Sequence, residues 1–102
     1  MSETSVLLVA PPALEDPLVD WLLHRADVPG FSSFPIRGHG AAHEHLSPAE
    51  QVEGRAAQVL FWVELPPPRA RQVIDGLRRD LPPARVHYWL FPAIEAGRID
   101  EP

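Results

Sequence analysis

The segment from Arg55 to Leu65 is apolar on both of its alternating faces. Successive side chains of a strand point to opposite sides, so residues two positions apart share a face. Val59, Phe61, Val63 and Leu65 fall on one face, and Leu60 and Trp62 fall on the other. A strand of this kind is buried on both sides. The sequence therefore predicts a sheet whose two faces are both covered.

Three further segments are predicted to be strands. An aliphatic run at residues 4–10 stops at two prolines, and residues 31–37 form a strand in which Pro35 permits only an edge position or a bulge. Residues 86–91 complete the set, with a tail after Phe91. In this last strand His87, Trp89 and Phe91 alternate with Val86, Tyr88 and Leu90. We expect His87 and the three tryptophans to pack in a core or interface.

Two segments are predicted to be amphipathic helices, because their apolar residues recur at three- and four-residue spacing. Pro17 belongs in the first turn of the first helix, with Asp16 as its cap, and this helix ends near Arg25. The second helix follows Pro66-Pro67-Pro68 and ends at Pro82. The apolar stripes are Leu14, Leu18, Trp21 and Leu22 in the first helix, and Ala70, Val73, Ile74, Leu77 and Leu81 in the second.

The order of elements, β-α-β-β-α-β, is typical of the ferredoxin-like plan. We predict one α+β domain over residues 1–102, with a four-stranded antiparallel sheet and both helices on one face. Two helices leave the other face uncovered, although its strands carry large apolar residues. An apolar patch of that size usually marks an interface. We therefore expect the second face to be buried against other copies of the chain.

Composition restricts the function. The absence of cysteine excludes disulfides, thiolate metal sites and a cysteine nucleophile. A net charge of -5 with scattered arginines argues against nucleic acid as a partner. No apolar run reaches membrane-spanning length and the first residues do not resemble a signal peptide, so we expect a soluble, cytoplasmic protein without direct membrane insertion. No nucleophile motif or pair of acids indicates an enzyme.

Residues 38–54 have no stable period and are predicted to form a long loop. At its start, Gly38 and Gly40 flank His39. Glycine permits close approach of the backbone, so these amides could face an anion or a base edge of a small ligand. Arg37 and Arg98 are the candidate partners for an anion. The alternative is a simple bend that ends the strand.

The same loop contains three histidines, His39, His43 and His45. Neutral imidazoles are suitable ligands for Zn, Cu, Ni or Co, and a loop can turn two or three of them towards one ion. The alternative is that they are ordinary polar loop residues, since the chain has no cysteine and no helical His-x-x-x-His pair to strengthen the signal.

The Gly38-His39-Gly40 turn, the loop after it and the course of residues 59–98 resemble the PII-like family of small, trimeric, ferredoxin-like signalling proteins. In that family a Gly-aromatic-Gly turn stands at the base of a mobile T-loop. More narrowly, Val-Ala-Pro-Pro-Ala-Leu at 9–14, the Gly38-His-Gly turn and Gln-Val-Glu-Gly-Arg at 51–55 are similar to a PII-like group often encoded beside heavy-metal efflux systems.

The resemblance implies a homotrimer with a T-loop-like mobile loop at 38–54. It also implies a regulatory role, a small effector such as an adenine nucleotide in the cleft between subunits, and a membrane efflux transporter or its regulator as partner. One departure concerns residues 80–85, Asp-Leu-Pro-Pro-Ala-Arg, which replace the glycine- and lysine-rich phosphate loop of the family. Proline has no N–H to donate, so the usual triphosphate mode is not expected. A metal-binding protein that uses the loop histidines, and a purely structural oligomer, are the alternatives.

Overall fold

The computed structural model describes residues 3–39, 55–82 and 84–101. The sheet has the strand order β2-β3-β1-β4 and every pair of neighbours is antiparallel. The predicted βαββαβ order and four-stranded antiparallel sheet are confirmed, and the trimer stays a prediction. The elements are β1 (Glu3–Ala10), a 3-10 turn (Pro12–Leu14), α1 (Glu15–Leu23), β2 (Ser32–His39), β3 (Arg55–Leu65), α2 (Pro67–Asp80) and β4 (His87–Ala93).

The core lies between the two helices and one face of the sheet. Leu8 is opposite Phe61 on one side and opposite Tyr88 on the other, and residues paired in this way point to the same face. The core residues supplied by β1 and β3 alternate along each strand, as was predicted for β3. They are Val6, Leu8 and Ala10 from β1, and Val59, Phe61, Val63 and Leu65 from β3. The helices add Leu18, Leu22, Ala70, Val73, Ile74 and Leu77.

Both helices begin differently from the sequence prediction. Asp16 lies in the first turn of α1 and is not its cap, since the 3-10 turn leads directly into the helix and Leu14 N–H donates to the Pro11 carbonyl at 3.0 Å. The helix ends at Leu23, before Arg25. In α2 the first helical residue is Pro67, because a proline in the first turn loses no intrahelical hydrogen bond.

The two edge strands contain the prolines. Pro35 lies in β2 at one edge, as predicted, and Pro92 lies in β4 at the other edge. The prediction that Pro92 begins the tail is wrong, because an edge strand can accept a residue without an N–H where no ladder bond is needed. No helix among the residues with a described conformation is long and apolar enough to cross a membrane.

Trp21 and Arg25 connect the end of α1 to α2. The Trp21 indole N–H donates to Asp80 Oδ2 at 2.9 Å, and the Arg25 guanidinium lies 4.6 Å from the centre of the Trp21 ring. Arg25 also donates two hydrogen bonds to the carboxylate of Asp27, at 3.0 and 2.9 Å. The Arg25 hydrogen bonds lower the pKa of Asp27, and those from Trp21 and Arg79 lower the pKa of Asp80.

Candidate functional site

One end of the sheet brings together the start of the 38–54 segment and the approach to β4. Gly38 pairs with Ala56, and His39 pairs with Arg55. At the same end, His87 at the start of β4 pairs with Val9 near the end of β1. The residues that follow α2 therefore reach the sheet at the end where β2 finishes.

Arg37 and His39 share one face of β2, and both side chains are exposed. Their register places them on the helix side of the sheet, because Arg37 is opposite Ala57, two positions before the buried Val59. Arg37 has no carboxylate within ion-pair distance among the residues whose placement is described. This end of β2 therefore presents one positive charge and one imidazole to solvent.

Gly38 lies on the opposite face of β2, beside the side chain of Gln58. A Cβ atom at Gly38 would overlap Gln58 Oε1 and would lie 2.9 Å from Gln58 Cδ. Real Cβ atoms essentially never approach that closely, so the amide of Gln58 occupies the space that the glycine leaves. A side chain at position 38 would therefore require the flexible end of the Gln58 side chain to move.

The sequence-predicted site residues fall into three groups. Arg37, Gly38 and His39 are consecutive on β2, which continues two residues beyond its predicted end, so Gly38 and His39 belong to the strand and not to the loop. Gly40, His43 and His45 lie outside the described residues, so the three-histidine metal site stays a prediction. Within the described ranges no group of three or more His, Asp or Glu side chains is arranged to hold a metal ion.

Arg98 is placed differently from Arg37. It follows the end of β4 at which Ala93 pairs with Glu3, whereas Arg37 lies at the opposite end of the sheet. Its guanidinium forms ion pairs with Asp100 and, at 2.8 Å, with Glu101. Within one chain these two arginines therefore lie at opposite ends of the sheet.

The second face of the sheet is apolar and open to solvent in the single chain. Leu7 lies between Trp62 and Trp89, and the next row places Phe34, Leu60 and Val9 side by side. The exposed fractions of Trp62 and Trp89 are 43% and 49%, so neither lies in the core of this chain, and His87 is exposed as well. We call the residues Leu7, Val9, Phe34, Leu60, Trp62, Trp89 and Phe91 the aromatic face.

Two carboxylates at the border of the aromatic face were not anticipated from the sequence. Glu64 Oε1 accepts hydrogen bonds from Ser5 Oγ at 2.7 Å and from Trp62 Nε1 at 2.9 Å. Among the described residues, Glu64 Oε2 and Glu3 Oε2 are buried without a hydrogen-bond partner. A buried carboxylate oxygen left unpaired is costly. The only feature of the sequence that could have indicated the role of Glu64 is its position as a charged residue between two apolar ones, Val63 and Leu65.

The fold of the chain is similar to that of several solved structures. The chain matches a DUF3240 family protein from Shewanella baltica OS155 at 20% identity, covering 97% of this chain and 98% of that one, with a TM-score of 0.73. A protein from Thermus thermophilus, assigned a PII-like signalling role, matches at 20% identity, covering 91% and 87%, with a TM-score of 0.65.

A third similar structure is CPII, a nitrogen regulatory PII-like protein from Thiomonas intermedia K12 bound to ADP, AMP and bicarbonate. Its identity is 17%, the coverage is 96% of each chain and the TM-score is 0.69. No functionally curated protein matches the sequence significantly. The ferredoxin-like fold is thus shared with PII-like proteins, whereas the sequence itself matches a family of unknown function over residues 1–100. The chain belongs to that family, DUF3240.

Proposed function

We propose that this chain is a non-catalytic, cytoplasmic regulator of the PII-like kind, which binds a small effector between subunits and controls a protein partner. The observation that carries the proposal is the likeness of fold, over nearly the whole chain, to CPII, a regulatory protein bound to ADP, AMP and bicarbonate.

The effector we propose is an adenine nucleotide, with its phosphate held by Arg37. Arg37 is exposed near the end of β2, next to Gly38 and on the same face of the strand as His39. A guanidinium donates two parallel hydrogen bonds to a phosphate, which suits this role. The segment from Asp80 to Arg85 still lacks glycine and lysine, so a mono- or diphosphate is favoured over a triphosphate.

Arg98 fits this proposal only if it comes from a neighbouring copy. Within one chain Arg98 lies at the end of the sheet opposite to Arg37. Its ion pairs with Asp100 and Glu101 join exposed side chains, and such pairs contribute little to stability. They can therefore be exchanged for a phosphate of the effector. Glycines 38 and 40 would complete the site by letting the backbone approach the ligand, which at Gly38 requires the end of the Gln58 side chain to move aside.

The aromatic face supports the trimer. Its half-exposed aromatic side chains form one continuous apolar surface, and such surfaces usually mark interfaces. Glu3 and Glu64 each keep a buried, unpaired oxygen beside it in the described part of the chain, and another copy can supply the missing donors. We propose that three copies cover this face mutually, as the resemblance to PII-like proteins implies.

We further propose that the T-loop-like segment 38–54 changes order when the effector binds, which alters contact with the partner. Such a switch requires the effector to bind one state of the loop more tightly than the other. The partner is proposed to be a membrane heavy-metal efflux system or its control machinery. The similarity of residues 9–14, 38–40 and 51–55 to the group encoded beside such systems supports this choice.

Two measurements test the nucleotide site and the assembly. Native mass spectrometry of protein purified without chelator is expected to show three chains and any copurified nucleotide. Calorimetric titration with ADP and AMP is expected to show binding that Arg37→Met weakens by roughly tenfold or more. Arg71→Met, which removes an exposed arginine of α2, is the matched control and leaves binding unchanged. A monomer that binds no adenine nucleotide contradicts the proposal.

A second candidate function is metal binding by His39, His43 and His45. His39 favours it, because this imidazole is exposed at the end of β2, directly before the segment of sequence that contains His43 and His45. Calorimetric titration with Zn, Cu, Ni and Co is expected to show binding that is lost in His39→Gln, while His24→Gln, directly after α1, serves as the control. Binding no tighter than millimolar for all four metals contradicts this function.

A further inference from the structure

A cavity of about 440 Å³ opens between α2, the residues that follow it and β4. Its floor is formed by Leu8, Ile74 and Leu77, which belong to the core. Leu81 and Val86 form its walls. Cavities of about 300–1,000 Å³ lined mostly by apolar side chains are typical of small-molecule sites. This one extends the core to the surface at the β4 edge of the sheet.

Arg78 and Tyr88 stand at the mouth of the cavity. Arg78 Nη2 donates to the Tyr88 hydroxyl at 2.7 Å, and the guanidinium carbon lies 5.3 Å from the centre of the tyrosine ring. No carboxylate lies within ion-pair distance of Arg78 in the described ranges of the chain. A phenol can share a hydrogen bond with this guanidinium but cannot neutralise it. The mouth therefore presents a positive charge directly above an apolar chamber.

We propose that this cavity is a second ligand site, which takes an amphipathic carboxylate: an apolar tail in the chamber and a carboxylate head on Arg78. A guanidinium pairs with a carboxylate through two parallel, charge-assisted hydrogen bonds, which are stronger than its bond to a neutral phenol. The tail removes apolar surface of Leu77, Leu81 and Val86 from water, which is favourable.

The site is separate from the effector site proposed above. Its lining belongs to α2, to the residues between α2 and β4, and to strands β1 and β4, and it includes neither Arg37 nor His39. Its apolar floor does not suit a nucleotide, whose sugar and phosphates require polar partners. Binding here and binding at Arg37 can therefore be tested independently in the same protein.

The test uses octanoate as the probe. Octanol, which keeps only the apolar tail, and acetate, which keeps only the carboxylate, are the comparison ligands. Calorimetry on the full chain is expected to show one octanoate per chain with a Kd below about 1 mM. Octanol, which lacks the charge, and acetate, which lacks the tail, are each expected to bind at least roughly tenfold more weakly, since each loses one of the two contacts.

Three variants locate the binding. Arg78→Met keeps an unbranched apolar side chain but removes the guanidinium, and it is expected to weaken octanoate binding by roughly tenfold or more. Ala84→Trp, at an exposed position of the wall, is expected to fill the chamber and abolish binding. Tyr88→Phe frees Arg78 while keeping the ring, so octanoate binding is expected to stay the same or tighten. Arg71→Met is the control on the same helix.

Two results overturn the proposal. One is the absence of octanoate binding up to roughly 10 mM. The other is binding that Arg78→Met and Ala84→Trp both leave within about twofold of wild type, because neither the charge nor the chamber would then be involved. Nucleotide titration of Arg78→Met separates the two sites, since this variant is expected to retain any binding that depends on Arg37.

Discussion

The indole ring of Trp21 lies directly over Gly76 of α2. A Cβ atom at Gly76 would be 2.9 Å from Trp21 Cζ2 and 2.9 Å from Arg25 Nη1. The end of the arginine can move, but the tryptophan is held by its hydrogen bond to Asp80 and by the packing of α1. Gly76 therefore sets the distance at which the two helices approach each other.

We expect Gly76→Ala to destabilise the protein by roughly 1 kcal/mol. Alanine favours a helix over glycine by about 1 kcal/mol, but overpacking beneath Trp21 costs about 1–3 kcal/mol. Urea denaturation measures the difference in free energy of unfolding. Gly30→Ala is the control, since nothing lies within 4 Å of a Cβ atom built there. A stabilised Gly76→Ala would show that α1 moves aside without cost.

Gly38 gives a second prediction, on the candidate effector site. We expect Gly38→Ala to cost at most about 1 kcal/mol of stability, because the new methyl group has to displace only the flexible end of the Gln58 side chain. Gln58→Ala removes the obstacle, so the double variant is expected to recover most of this loss. The coupling energy from the four unfolding free energies measures this directly. If the double variant instead loses the sum of the two single losses, Gly38 is required for its backbone conformation and not for the space that Gln58 fills.

The regular parts of this fold could be predicted because each follows from a local pattern. The alternation of Val59, Phe61, Val63 and Leu65 identified β3, and the buried face it defines is the one observed. The end of β4 was misplaced because Pro92 was expected to stop the strand, whereas a proline is accepted in an edge strand. Which strand lies at the edge depends on the topology, which no local pattern contains.

The candidate sites were less predictable, because they too depend on how the strands and helices are arranged in three dimensions. The apolar second face could be predicted from alternation alone. The pairing of Glu64 with Ser5, by contrast, depends on the register of β1 against β3, which a single strand does not specify. The cavity beside Arg78 arises from a gap between α2 and β4, so it has no counterpart in any short stretch of sequence.

Asp27 makes the stability dependent on pH. The hydrogen bonds from Arg25 hold the pKa of this carboxyl below its usual 3.8 in the folded chain. As the pH falls, the unfolded chain takes up the proton first, so this contribution is present above about pH 4 and is lost as the pH falls through the folded pKa. Asp27→Asn is expected to cost roughly 1 kcal/mol at pH 7.

Urea denaturation between about pH 7 and pH 2.5 checks this, because the gap between wild type and Asp27→Asn should close as the pH falls below about 4. Asp75→Asn is the control, since Asp75 is an exposed carboxylate of α2 without an ion pair in the described part of the chain. A gap that persists unchanged at low pH would mean that the asparagine acts through packing and not through the lost charge.

The aromatic face gives the prediction that bears most directly on assembly. Trp89 is 49% exposed in the single chain, at the end of the row that it forms with Leu7 and Trp62. If copies cover this face, Trp89→Glu places a charge in an apolar interface, and association is expected to weaken by roughly 30-fold or more. Sedimentation should then show monomers where wild type forms trimers. Leu23→Glu is the matched control, since Leu23 is 67% exposed on α1, on the other side of the sheet. A wild-type monomer, or a Trp89→Glu variant that still assembles, would mean that this face is not the interface.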